Sequence, residues 1–302
     1  MKFDYYDSAV FKEILSESYK LDLYKYNNEI SYFESKYKFK KTKFNLPFQF
    51  YQPKDYFEEK GIKNFITLLK ERDFAYFHSI GKIDSLEGTK VAKNPILSLT
   101  KDTHPENNYS RRTKEYIKNY SKYMKENDIN ISITNNTQDL KRFYKHLAKS
   151  YTRKHRMIFQ PYEIYKNLFN DQGFLIIATT SEKLLGGGFF IKDSKTLHYN
   201  WGSYENLNKF STATSILDFS IKYAWENNYD YFDFGSTPLN DSNLLFSKTK
   251  FGADPLNVYL YSNFEKRNID LNDHYKTLRF IFSLNPISIN RIISKIVVPY
   301  LV

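Results

Sequence analysis

No cysteine occurs among the 302 residues, which excludes a disulfide framework, a thiolate nucleophile and a Cys-ligated zinc site. Glycine and proline are scarce, at 10 and 9, and there is no Ser/Gly-rich or Pro-rich tract, so a long flexible linker or a disordered block does not fit. Folded lobes are expected to abut directly. No window approaches ~18 uncharged apolar residues, the length a spanning helix needs, and Met1-Lys2-Phe3-Asp4-Tyr5-Tyr6 lacks the apolar core of a secretory leader. The expectation is a cytoplasmic chain. The six histidines fall in no H-E-x-x-H or paired spacing, and no Walker loop or G-x-G-x-x-G occurs, so neither a metal site nor nucleotide hydrolysis is expected.

What is present points to a globule of two lobes, since 302 residues suit two units of about 150 each. Aromatics make up 18% of the chain, with 27 Tyr and 26 Phe, enough ring area for two cores. The net charge of +11 favours polyanionic partners: tRNA, nucleotide diphosphates or an anionic membrane face. Joint enrichment in Lys, Asn, Tyr and Ile also follows from A/T-biased coding, and that background explanation stands beside the first.

Apolar spacing predicts a helix over 8–18, a strand over 21–26 entering a turn at Asn27-Asn28, a helix over 62–69 and a strand over 74–77; Pro95 to Leu99 closes the first lobe. Between Asn108 and Asn127 runs a basic helix with Arg111, Arg112, Lys114, Lys118, Lys122 and Lys125 among four tyrosines. It suits phosphate binding or, equally, a solvated connector. A strand at 129–134, helices from Thr137 and Pro161, a strand meander at 174–179, 187–192 and 197–201, a helix at 212–227, a strand at 231–234, a helix at 244–250 and a strand at 257–261 follow. That β-α-α-β-β-β-α-β-α-β order is the acetyltransferase order. The expected fold class is α+β, with two GNAT-like (acyl-CoA N-acyltransferase-like) lobes of mixed, mostly antiparallel sheet flanked by helices. Residues 1–104 form the first lobe, 105–128 the basic connecting helix, 129–265 the second lobe and 266–302 an amphipathic C-terminal tail. Gly186-Gly187-Gly188 reads as a bulge or close-packing device in a strand.

Tyr231-Phe232-Asp233-Phe234-Gly235-Ser236-Thr237 precedes Lys248-Thr249-Lys250-Phe251-Gly252-Ala253-Asp254-Pro255. On these residues the chain resembles the Fem-type peptidoglycan-bridge aminoacyltransferases and the acetyltransferase-6 family, in which an aromatic residue and Asp-Phe-Gly precede a loop and a Lys-x-x-(Trp/Phe)-Gly-x-x-Pro segment. Looser likeness covers Tyr144 to Phe169, the basic helix and Leu46-Pro47-Phe48 with Tyr51. Two departures stand out: Ser236 follows Gly235 where glycan-locus relatives often carry Arg, and Ser247 stands where Phe usually precedes the lysine.

The resemblance implies an acyltransferase that moves an aminoacyl group from aminoacyl-tRNA, or an acyl group, onto an amine of a cell-envelope precursor, either a peptidoglycan stem peptide or an amino sugar. No tightly bound cofactor is implied; the donor is aminoacyl-tRNA or acyl-CoA. The stretch Tyr204 to Thr212 lacks the glycine-rich turn with which simple acetyltransferases bind the CoA pyrophosphate at a helix N-terminus, which favours the tRNA donor. Lys248 is the expected oxyanion-stabilising cation and Asp233 the second catalytic candidate. Tyr199, Asn200 and Trp201 are expected to wall the acceptor site, with Ser236 and Phe251 beside it; Arg153 and Lys154 are expected phosphate clamps. Surface, core-packing and helix-capping roles are the plain alternatives for these residues. Two other functions remain open: an acyl-CoA-dependent enzyme acting on a nucleotide-linked amino sugar or small amine, and a non-catalytic RNA-binding or scaffold protein. Implied partners are tRNA and a nucleotide- or lipid-linked glycan precursor. The apolar segment from Leu278 to Val302, punctuated by Arg279, Arg291 and Lys295, suits either peripheral contact at the inner membrane face or docking on the protein itself.

Overall fold

The structure is a computed structural model that describes residues 1, 3–19, 21–26, 30–37, 40–44, 51–71, 75–154, 160–205, 207 and 210–263. The turn expected at Asn27-Asn28 and the tail from Leu278 lie outside the described residues. In chain order come α1 (Asp4–Asp7), α2 (Ala9–Tyr19), β1 (Asp22–Tyr26), β2 (Ile30–Tyr37), β3 (Lys40–Phe44), β4 (Gln52–Pro53), α3 (Lys54–Glu59), α4 (Ile62–Glu71), β5 (Ala75–Ile80) and β6 (Thr89–Ser98). After a 3-10 turn at Pro105–Asn108 follow α5 (Arg111–Glu126), β7 (Asn130–Thr134), α6 (Thr137–Lys154), α7 (Tyr162–Phe169), β8 (Gly173–Thr179), β9 (Leu184–Lys192) and β10 (Thr196–Tyr204). The last are α8 (Thr212–Glu226), β11 (Tyr231–Asp233), β12 (Thr237–Pro238), α9 (Ser242–Thr249) and β13 (Asp254–Ser262).

The class is α+β, with mixed, mostly antiparallel pairing and flanking helices, as the sequence leads one to expect. From β7 to β13 the order is the acetyltransferase order with only the two-residue β12 added. The chain folds as two compact units, one of residues 1–91, 148–167 and 258–302 and the other of 92–147 and 168–257.

In the first unit β1, β2 and β3 pair antiparallel in turn, β3 runs parallel to β5, and β13 is antiparallel to β5. Its core is a ring cluster: Phe57 meets Phe65 and Phe77 at centroid separations of 4.8 Å, and Phe77 stacks on Tyr261 at 5.0 Å. The apolar spacing of α4 is explained by Phe65, which it buries there.

In the second unit β7, β8, β9 and β10 form an antiparallel meander. β10 then pairs parallel with β11, which is antiparallel to β6. Helix α8 starts at Ser211, whose hydroxyl accepts from the Thr214 N–H at 3.3 Å, and it buries Ile216, Leu217, Ile221 and Ala224 in the core with Phe174, Phe190 and Phe232. Gly187 lets α6 settle on the sheet: a Cβ there would lie 3.0 Å from the Phe143 ring. Strand β6 departs from expectation. Pro95 reads as a terminator, yet it sits inside a ten-residue strand where its carbonyl still accepts from the Phe234 N–H at 3.0 Å.

Candidate active site

The site lies within the second unit, where two parallel strands part. β10 and β11 pair only over Thr196 with Tyr231, Leu197 with Phe232 and His198 with Asp233. Beyond that point β10 runs on beside β9 to Tyr204, with a bulge between Tyr199 and Trp201. The chain leaves β11 through Gly235 at φ +69 and joins β6 again as β12. A side chain at Gly235 would be strained by that φ, and its Cβ would lie 3.0 Å from the Tyr199 carbonyl, so glycine permits the sharp exit.

At the base of this parting Asp233 is 5% exposed and engaged through both oxygens. Oδ1 accepts from Asn94 Nδ2 at 2.7 Å and from the Gly235 N–H at 2.8 Å, while Oδ2 meets His198 Nδ1 at 2.8 Å. On its other side His198 Nε2 lies 3.4 Å from Asp193 Oδ2. Burial opposes charge on this imidazole, but hydrogen bonds and Coulomb attraction to Asp193 and Asp233 outweigh it and raise the pKa. The two carboxylates thus favour the imidazolium form, a cation shared between them in the buried site.

Lys248 reaches the same turn from α9, whose first turn is capped by Asp241 Oδ1 accepting from the Leu244 N–H at 2.9 Å. Its ammonium donates to the carbonyls of Gly235 at 2.9 Å and Ser236 at 3.0 Å. Burial pulls its pKa down from 10.5 to about 8, with the charges of Asp233 and Asp241 acting in the opposite sense. Phe251 braces the turn from behind by stacking on Phe234 at 5.9 Å and meeting Tyr109 edge-on at 5.1 Å. Gly252 follows at φ +88, where a Cβ would come within 2.6 Å of the Asn108 carbonyl.

Of the residues singled out in sequence, Asp233, Ser236, Lys248 and Phe251 therefore meet around one turn. Tyr199 and Asn200 sit half-buried at the bulge, the Tyr199 ring 5.4 Å from Phe190 and its hydroxyl accepting from Tyr204 at 2.8 Å. Trp201 is buried against Phe189 at 5.5 Å, a core position. Arg153 and Lys154 end α6 in the part of it that belongs to the first unit, and the positions of their side chains lie outside what is described. Sequence reasoning missed Asn94, Asp193 and His198. No local signal in the sequence marks His198, because it is the parallel register of β10 beside β11 that aligns it with Asp233. Among the described residues no group of His, Asp and Glu is placed to hold a metal ion. Nor, among them, is any helix long and apolar enough to cross a membrane.

No protein-family model matches the chain, and no curated protein matches its sequence. Solved structures share its fold. The C-terminal domain of a putative lysylphosphatidylglycerol synthetase from Agrobacterium fabrum matches over 84% of this chain and 87% of that one, at 11% identity and TM-score 0.57. An L-PGS from Bacillus licheniformis matches over 92% and 97%, at 10% identity and TM-score 0.59. FemX matches over 90% and 93%, at 12% identity and TM-score 0.58. At such identities the likeness is one of fold.

Proposed function

We propose that the chain is an N-acyltransferase that moves an aminoacyl group from aminoacyl-tRNA onto an amine of a cell-envelope precursor, a peptidoglycan stem peptide or an amino sugar. One observation carries this reading: a buried, cationic Lys248 is held by two backbone carbonyls at the turn where β10 and β11 part. The fold shared with FemX and with lysylphosphatidylglycerol synthetases supports the same class of chemistry.

In such a transfer the acceptor nitrogen attacks the ester carbonyl, a C–N bond forms, and the C–O bond to the terminal ribose of the tRNA breaks. The proton lost by the nitrogen ends on the departing ribose oxygen. An ammonium has three N–H donors, and Lys248 directs two at Gly235 and Ser236. The third is the donor for the oxyanion, in a site whose burial makes that charge count for more than in water. Asp233 has both oxygens committed, so its part is to position the turn rather than to take a proton. At the start of α8 the cap is a serine and no glycine-rich turn occurs, which favours the tRNA donor over CoA.

The test is incubation of the purified protein with labelled aminoacyl-tRNA and, separately, labelled acyl-CoA, each with UDP-linked amino-sugar and stem-peptide acceptors. Label moving from tRNA to an acceptor amine supports the proposal. Transfer from acyl-CoA alone, or none from either donor, overturns it.

A further inference from the structure

Helix α5 concentrates charge beyond anything the transfer chemistry needs. In sixteen residues it carries six cations, Arg111, Arg112, Lys114, Lys118, Lys122 and Lys125, against two carboxylates, a net +4 of the whole chain's +11. Five of the six, Arg111, Lys114, Lys118, Lys122 and Lys125, recur at spacings of three and four, so they share one stripe of the helix. The opposite side buries Thr113 and Ile117 and packs Tyr120, Tyr123 and Met124 on the core, the two tyrosines against Phe210. The stripe faces solvent: all five residues are exposed, the Arg111 side chain 93% so and that of Lys122 80%. Glu115 and Glu126 pair with Arg111 and Lys122 along the helix, contacts too exposed to neutralise it.

The helix begins at the candidate site. The Ser110 N–H, at its N-cap, donates to the Lys250 carbonyl at 3.0 Å, two residues past Lys248, and Tyr109 meets Phe251. From there it runs sixteen residues, about 24 Å at 1.5 Å per residue. We propose that the Arg111–Lys125 stripe of α5 is the surface on which the phosphate backbone of an RNA duplex lies. This deepens the aminoacyl-tRNA reading and rests on it for the identity of the RNA: with the ester at the β10–β11 parting, the adjoining duplex follows α5 away from the site. RNA duplexes are recognised mainly by shape and by phosphate contacts, which a line of cations supplies. A lipid surface fits less well, because the exposed side of α5 offers a single large ring, Tyr116, and the Arg112 guanidinium lies over it at 5.2 Å.

The experiment measures binding of deacylated tRNA, and of vesicles with and without about a third phosphatidylglycerol, across a salt series. Lys118→Gln/Lys122→Gln/Lys125→Gln is compared with wild type and with Lys63→Gln/Lys70→Gln/Lys82→Gln, which removes the same charge from exposed lysines elsewhere. Each lost phosphate contact lowers the log–log salt slope by about 0.7 to 0.9. The α5 variant is therefore expected to lose roughly two slope units and at least about tenfold in tRNA affinity near 0.1 M salt, with the control unchanged. That result upholds the surface even if no transfer is detected. Equal losses in both variants, or none in the α5 variant, overturn it even if transfer from tRNA is established. Binding to anionic vesicles without binding to tRNA also overturns it, in favour of a lipid surface.

Discussion

Replacing Lys248 by Met separates a catalytic charge from a structural clamp. Burial lowers the lysine from 10.5 to about 8, so the charged form costs about 3 kcal/mol more in the folded than in the unfolded chain. Methionine removes that cost and keeps the stem, but it leaves the Gly235 and Ser236 carbonyls without the ammonium. Both residues are half-buried, and their loss is about 1–3 kcal/mol. The two effects nearly cancel at pH 7, so the variant is expected within about 1–2 kcal/mol of wild type in urea unfolding. The transfer rate, by contrast, should fall about 10²-fold or more, the scale of losing one oxyanion donor. The pH dependence carries the opposite sign to that of a lysine whose pKa is raised by an ion pair. Below pH 8 both states hold the proton and the penalty is complete. Between about 8 and 10.5 the folded chain releases it first, so wild-type stability gains up to about 3 kcal/mol as pH rises, and the Met variant lacks that gain. Wild-type transfer in Lys248→Met, or stability curves that stay parallel above pH 8, would refute the reasoning.

Three further outcomes follow from the same geometry. Single-turnover transfer should decline as pH rises through about 8, where Lys248 loses its charge, and Lys248→Arg should lower the rate but flatten the decline; a rate that climbs through that range would make the lysine a base. His198→Phe should cost about 3 kcal/mol or more, because it leaves Asp193 and Asp233 buried without their shared cation. Since the folded histidine pKa is raised, its stabilisation is complete below about 6.5 and fades as pH rises through the folded value, so the gap between wild type and variant in urea melts should be widest below about pH 6.5 and narrow as pH is raised above it. Gly252→Ala should destabilise by about 2 kcal/mol or more, combining left-handed strain with the 2.6 Å approach to the Asn108 carbonyl, and calorimetry would show it.

Elements with regular apolar spacing were legible within a few residues: α5, α6, α8 and the β8–β10 meander each have a burial pattern that imposes a period. β6 was not, because Pro95 breaks the period and the strand is held by its neighbours β11 and β12. That omission also concealed Asn94, whose place beside Asp233 depends on the pairing of Ile96 with Asp233. β3 carries three lysines in five residues and so resembles no buried strand. Asp233 and Lys248 were legible by resemblance alone. The His198–Asp233 pair depends on register between strands 35 residues apart, which local periodicity does not encode.

The site itself is tested most directly by the position of the acyl group. A tRNA charged with a photoreactive amino acid such as p-benzoylphenylalanine, bound and irradiated, marks the residues around its ester. Adducts are predicted within Tyr199–Tyr204 and around the Gly235–Ser236 turn, and they should be lost when uncharged tRNA competes. Adducts confined to other parts of the chain, with none in those two stretches, would contradict the assignment of the β10–β11 parting as the place of transfer.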